Sequence, residues 1–260
     1  MEAYFDNSAT TPVYPEVRDL MVKIMEEDYG NPSSLHMKGV TAARYIKDAR
    51  ESLAGEMKVM PKEIVFTSGG TESNNMALIG GALANRRAGN KIITTSVEHA
   101  SVGSPMEFLA GMGFDVVRIG VDSSGQIDMD QLMSEVDDDT IIVSVMYVNN
   151  EIGTVMPIAD IARLIKEKNP NVLFHVDAIQ AFGKYRIYPK RMGIDMMSIS
   201  GHKFHGPKGV GALFIRDRVK VKPIIYGGGQ QSGMRSGTEN VPGIAGMALA
   251  AEITYNGLEE

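Results

Sequence analysis

Glu63–Asn75 reads EIVFTSGGTESNN. A run rich in β-branched and aromatic residues meets two glycines, and Thr71–Glu72 then opens a helical pattern. A strand handed to a helix through a glycine turn is the repeating unit of α/β folds. The rest of the chain repeats that unit. KIITTS (Lys91–Ser96) precedes helical spacing from Ala100 to Met112, and DVVRIGV (Asp115–Val121) precedes a shorter helical stretch at Asp128–Glu135. TIIVSVMYV (Thr140–Val148) precedes Ile158–Lys168, and VLFHVDA (Val172–Ala178) follows it. IDMMSIS (Ile194–Ser200) and GVGALFIR (Gly209–Arg216) read as two further strands.

The helix after the first glycine turn is expected over Thr71–Arg87, and a last helix over Pro242–Tyr255. Upstream, Pro15–Glu27 and Val40–Met57 carry helical apolar spacing around the turn-rich Tyr29–Gly39. These units predict an α/β domain with a mainly parallel sheet and helices on both faces. The expected organisation is an N-terminal arm over 1–14 and one large domain over 15–260. In such sheets ligand groups gather at the carboxyl ends of the strands.

Bulk composition narrows the function classes. The chain has 260 residues, 43% of them hydrophobic and 22% charged, as an ordinary folded protein does. A net charge of −6 argues against general binding to nucleic acid or anionic membrane, though not against a local basic pocket. With no cysteine there is no disulfide framework and no thiolate metal site. The polar start and the short apolar runs resemble neither a signal peptide nor a membrane span, so the expected location is the cytoplasm.

Four segments at predicted strand ends carry candidate chemistry. Gly69–Thr71 could cradle a phosphate on the free N–H groups of a helix start, with the Thr71 hydroxyl, or could be a plain capped turn. No Lys-Ser or Lys-Thr pair follows the glycines, so it is not a nucleotide P-loop. His99 could stack on a flat ring and move a proton, or be a satisfied structural group. Asn149 and Asn150 end another strand, where turn chemistry explains them equally well. Asp177 ends an otherwise apolar strand, and a buried carboxylate needs a cationic or strong-donor partner. An internal Arg or Lys would serve, as would a protonated ring nitrogen of a cofactor. Gln180 lies three residues on and could reach the same space.

The fourth segment is SISGHKFHGPKGVG (Ser198–Gly211). Lys203 lies between His202 and His205 with Lys208 close by, and neighbouring cations with partial desolvation would lower its pKa and make its amine nucleophilic. A basic glycine loop holding a free phosphate accounts for the charge but leaves Asp177 without a role. Pyridoxal 5'-phosphate accounts for both. It asks for a covalent lysine, an acid at its ring nitrogen and a backbone cradle for its phosphate.

YFDNSATTP, GNPSSLH, TSGGTESNN, EHASV, NNEIGT, HVDAIQ, SGHKFHGPKGVG and RSGTEN occur in an order that resembles the NifS/IscS-like cysteine desulfurases of the class V aminotransferase family. The resemblance covers nearly the whole chain and implies the fold-type I architecture of pyridoxal-phosphate enzymes. It implies Lys203 as the covalent and proton-shuttling residue, Asp177 as the partner of the ring nitrogen, and His99 as the stacking ring that assists acid–base steps. Gln180 would bond the ring hydroxyl, and Asn150 would sit near that hydroxyl and the substrate carboxylate. Gly70, Thr71, Ser200 and His202 would hold the phosphate. Thr238 would reach the phosphate bound by a second subunit, which implies a homodimer.

The resemblance further implies L-cysteine as substrate, a sulfur-acceptor or scaffold protein as partner, and service to iron–sulfur cluster assembly or another acceptor. A selenocysteine lyase, another class V aminotransferase and a non-catalytic dimerisation module are the alternatives. Such enzymes carry a cysteine nucleophile on a loop well beyond RSGT, whereas this chain has none and ends at Glu260. The expectation is therefore a large domain without its C-terminal small domain, able to hold the cofactor and inactive alone.

Overall fold

The computed structural model describes residues 3–258. Seven strands form one sheet: β1 (Ile64–Thr67), β2 (Lys91–Thr95), β3 (Asp115–Ile119), β4 (Thr140–Met146), β5 (Leu173–Asp177), β6 (Met196–Ser200) and β7 (Gly211–Ile215). Their order across the sheet is β1-β7-β6-β5-β4-β2-β3. β7 runs antiparallel to both neighbours and every other pairing is parallel. The reason is local. Only the short loop 201–210 joins β6 to β7, too little chain for a helical crossover, so the strand must return antiparallel.

Among the described residues the eight α-helical segments are α1 (Pro15–Glu26), α2 (Met37–Met57), α3 (Gly70–Asn75), α4 (Gly81–Asn85), α5 (Ala100–Gly111), α6 (Met129–Glu135), α7 (Ile158–Lys168) and α8 (Val241–Asn256). The helix expected over Thr71–Arg87 is a single rod with a wider π-type turn at Met76–Gly80 between α3 and α4. At that turn the Gly80 carbonyl accepts from Lys222 N at 3.0 Å, and a side chain on Gly80 would run into the Lys222 backbone. Such turns arise where a neighbour competes for the helix's own bonds. The strand expected over Thr140–Val148 leaves the sheet at Met146. Beyond it, Val148 folds back to pair with Val155, which turns the Asn149–Asn150 corner over the end of the sheet.

Helices lie on both faces. In α2, Ala42, Ile46, Ala49, Leu53 and Met57 recur at helical spacing and bury one stripe. That stripe meets α8, most of whose residues are buried, and α1 approaches α8 so closely that a side chain on Gly246 would touch Met21 and Val17. With α6 and α7 these cover Val143, Val145, Phe174, Val176, Met197 and Phe214 of the sheet. The α3–α4 rod and α5 pack on the other face through Leu78, Val102, Met106 and Leu109 over Ile92 and Ile142. No helix among the described residues is long and apolar enough to cross a membrane. Strand order reverses between β2 and β4, and in an open α/β sheet the crevice at such a reversal is where ligands bind.

Candidate active site

A cavity of about 510 Å3 opens at that crevice. It is lined by the ends of five strands and by the arm, and includes Gly70, Thr71, His99, Asn150, Asp177, Gln180, Ser200, His202 and Lys203. Nine of the ten residues to which the resemblance gives a role thus meet in one place. The tenth, Thr238, lies in a separate crevice with Ile24, Tyr29 and Pro32.

Asp177 sits at the carboxyl end of β5 with 4% of its surface exposed. Its Oδ1 accepts from Ile179 N at 3.0 Å and its Oδ2 from Asn74 Nδ2 at 2.8 Å. Among the described residues it has no ion-pair partner. Burial pushes its pKa up, against the Ile179 and Asn74 donors and the more distant charges of His99 and Lys203. The internal Arg or Lys partner left open by the sequence is therefore not there.

Lys203 ends a single tight turn, Gly201–Lys203, that follows β6. Its Nζ donates to the carbonyl of Ser8 and, at 3.0 Å, to that of Ala9. Burial lowers its pKa, while Asp177 and Asp6 act to raise it. Of the two causes expected from the sequence, desolvation is the one at work, and the neighbouring cations are not. His202 is itself held below the usual imidazole value by burial and by Lys203 and Lys208. His205 points elsewhere: its ring stacks on Tyr14 at 4.3 Å and its Nδ1 lies 2.9 Å from the Pro12 carbonyl oxygen.

The glycine turn is a close-fitted cradle. Gly69 has φ 151°, open only to glycine, and a side chain on Gly70 would collide with that of Ile179. Beside it, Thr71, Ser200, His202 and Lys208 line a second crevice that shares Gly70, Thr71, Ser200 and His202 with the first. Glu72 would place a negative charge here. Burial alone would raise its pKa, but paired bonds from Arg235 (2.8 and 3.2 Å) and the Ser68 N–H outweigh this and hold the carboxyl below its ordinary value. The same pair ties the RSGTEN segment to α3.

His99 is the N-cap of α5, and its ring accepts from Ser101 N. Gln180 Nε2 donates to the Ser8 carbonyl at 2.8 Å, so arm and site share bonds. Sequence reasoning missed four contributors: Asn74, Ser101, Glu98 and the arm backbone at Ser8–Ala9. Asn74 and Ser101 lie inside quoted motifs, but nothing in their local pattern says that they face each other. Glu98 Oε1 accepts from Thr95 Oγ1 at 2.7 Å and Met146 N at 2.9 Å, while its Oε2 is buried without a partner. Burial pushes this carboxyl up to about 8.

The profile of the aminotransferase class-V family matches residues 3–259. A cysteine desulfurase IscS of Methanosarcina thermophila is 48% identical over 257 residues, 99% of this chain and 63% of the relative. One from Dictyoglomus turgidum is 46% identical over 97% of this chain and 64% of the relative. The chain thus spans just under two thirds of the length of these relatives. Among solved structures, a NifS-like protein superposes with a TM-score of 0.96 at 46% identity, covering 98% of this chain and 70% of the other. SspA in complex with cysteine gives a TM-score of 0.91 at 42% identity, over 96% and 72%. The architecture is that of the fold-type I pyridoxal-phosphate enzymes, and the chain belongs to the aminotransferase class-V family.

Proposed function

We propose that this chain is the pyridoxal 5'-phosphate-binding part of a cysteine desulfurase, which takes L-cysteine to L-alanine and hands the sulfur to an acceptor. The observation that carries the reading is Asp177, a buried carboxylate that lines the cavity and has no ion-pair partner among the described residues, in the same cavity as a lysine whose pKa burial lowers.

The residues present fit the group. Asp177 would pair with the protonated ring nitrogen and end its own isolation. The Gly69–Gly70 cradle, Thr71, Ser200 and His202 would hold the phosphate, with Glu72 neutralised in advance by Arg235. His99 would lie against the ring, and Gln180 and Asn150 would take the ring hydroxyl and the substrate carboxylate. When bound, the pyridoxal supplies an electron sink for bonds broken at the substrate α-carbon. Lys203 would be the residue that holds the group, and its amine would move a proton at that carbon. For this its Nζ must let go of the Ser8 and Ala9 carbonyls.

Sulfur abstraction needs a thiol that this chain does not contain. The chain by itself is therefore proposed to bind cofactor without desulfurating cysteine. Thr238 serves the second subunit of a homodimer in this reading, consistent with its distance from the cavity. The proposed setting is the cytoplasm, with iron–sulfur cluster assembly as one use of the sulfur.

Borohydride reduction of the chain incubated with pyridoxal phosphate, followed by peptide mass mapping, tests the assignment. Label on Lys203, abolished in Lys203→Ala, is expected. Label on Lys184 or Lys208 with Lys203 untouched would overturn it.

A further inference from the structure

Sequence alone left His99 without a partner; the fold gives it two donors on one atom. Its Nδ1 lies 3.0 Å from Ser101 N and 2.8 Å from Ser101 Oγ. Ser101 Oγ also accepts from Asn74 Nδ2 at 2.9 Å, and the other Nδ2 hydrogen goes to Asp177 Oδ2 at 2.8 Å. Asn74 is fully buried and Ser101 is 7% exposed.

Donor counting fixes the protons in this chain. The Asn74 amide has two hydrogens, and both are used on Asp177 and Ser101. Turning the amide over would set its oxygen against the Asp177 carboxylate. A hydroxyl that accepts from Asn74 keeps its own hydrogen to give, and the partner within reach is His99 Nδ1. The Ser101 backbone N–H cannot act as anything but a donor. Two donors therefore converge on Nδ1, which must carry the lone pair, and the ring proton resides on Nε2. Asn74 Oδ1 is left buried without a partner.

We infer that Asn74 and Ser101 are positioning residues that couple the Asp177 carboxylate to His99, so that His99 offers the cavity an Nε2–H donor in a single tautomer. A ring fixed this way starts each cycle as a hydrogen-bond donor and not as a base. Its use in catalysis rests on the pyridoxal reading above, whereas the tautomer belongs to the cofactor-free chain, so the two ideas fail separately.

Long-range 1H–15N correlation spectra of the 15N-labelled chain, at a pH where the rings are neutral, read the tautomer directly. His99 is assigned by His99→Gln, and exposed His36 serves as the free-ring reference in the same sample. The expected spectrum shows His99 wholly as Nε2–H with a hydrogen-bonded Nδ1. Ser101→Ala leaves one donor and should move the Nδ1 signal part of the way to that of His36, while Ser101→Thr should restore it. Asn74→Leu removes the bond that orients the hydroxyl and should move the signal in the same direction. The inference is overturned if His99 shows the free-ring mixture of His36 or a proton on Nδ1. It is also overturned if Ser101→Ala, a small change that keeps the backbone cap, leaves the Nδ1 signal where it was.

Discussion

The two walls of the cavity are built on different principles. The wall formed by β2, β4, β5 and α3 is dry: Asp177, Asn74 and the Glu98 carboxyl are enclosed and bonded side chain to side chain or to strand-end amides. The opposite wall is the arm laid over the Gly201–Lys203 turn, where Lys203 and Gln180 reach backbone carbonyls of Ser8 and Ala9. Backbone carbonyls can be exchanged for another partner at little cost, whereas a buried carboxylate cannot. The dry wall is thus fixed before any ligand arrives, at some loss of stability, and the arm wall is free to rearrange. Stability given up at a prearranged site is a common trade for function.

Asp177→Asn should show this trade most strongly. A raised carboxyl pKa in the fold means that the folded chain binds its proton more tightly than the unfolded chain does. That contribution is present at low pH and is lost as pH rises from the ordinary aspartate range through the folded value. At neutral pH the charge is a burden on the cofactor-free chain. Asparagine removes the charge but keeps a single acceptor, so the Asn74 amide must turn over to meet the new NH2. With the charge gone, the melting temperature of the cofactor-free variant should lose the parent's fall with rising pH. Pyridoxal-phosphate affinity should fall by at least about tenfold, one charge pair's worth. If affinity and melting temperature drop together, Asp177 is a structural group and the contrast between the walls disappears.

Glu98→Gln is the next in size and isolates stability from ligand contact. The Glu98 carboxyl shifts from 4.5 to about 8 through burial. Parent stability should accordingly fall as pH rises from about 4.5 to about 8, by an amount on the order of a few kcal/mol across the window. Glutamine offers Thr95 and Met146 the same acceptor oxygen without ionising, so its denaturation midpoints should be nearly flat over that range. Parallel pH profiles for parent and variant would mean that the carboxyl is solvated in solution and the wall is not dry there.

The legibility of these walls in the sequence differs for the same physical reason. Strands and helices were readable because apolar periodicity is local: α7 lies over Ile158–Lys168 as its spacing predicts, and α8 differs from expectation by one residue at each end. Lys203, Asp177, His99 and the glycine cradle were readable because each ends a strand, where α/β sheets place ligand groups. Asn74 and Ser101 were not, since their meeting depends on how α3 packs beside α5. Glu98 reads as an ordinary solvated acid until the β2–β4 junction closes over it. The arm was legible as irregular chain but not as a wall, because its bonds span about 190 residues of sequence. Of the two causes expected to lower the Lys203 pKa, burial is present and the cations are not, because proximity in sequence does not give distance in space.

The smallest effect belongs to the arm and tests the contrast from its other side. Thr11 Oγ1 donates to the His202 carbonyl at 2.9 Å and accepts from His205 N at 2.7 Å, pinning the arm next to Lys203. Thr11→Val keeps the volume and removes both bonds, for an expected loss of about 1–2 kcal/mol in denaturant unfolding. In the pyridoxal reading the arm carbonyls would compete with the cofactor for Lys203, so loosening them would remove a competitor as well as a support. Stopped-flow absorbance should show faster pyridoxal-phosphate association, with the equilibrium affinity staying within about threefold of the parent's. An affinity loss as steep as that of Asp177→Asn would place the arm in the prearranged part of the site. In that case Ser8 and Ala9 would be holding Lys203 in its working position, and both walls would be built on the same principle.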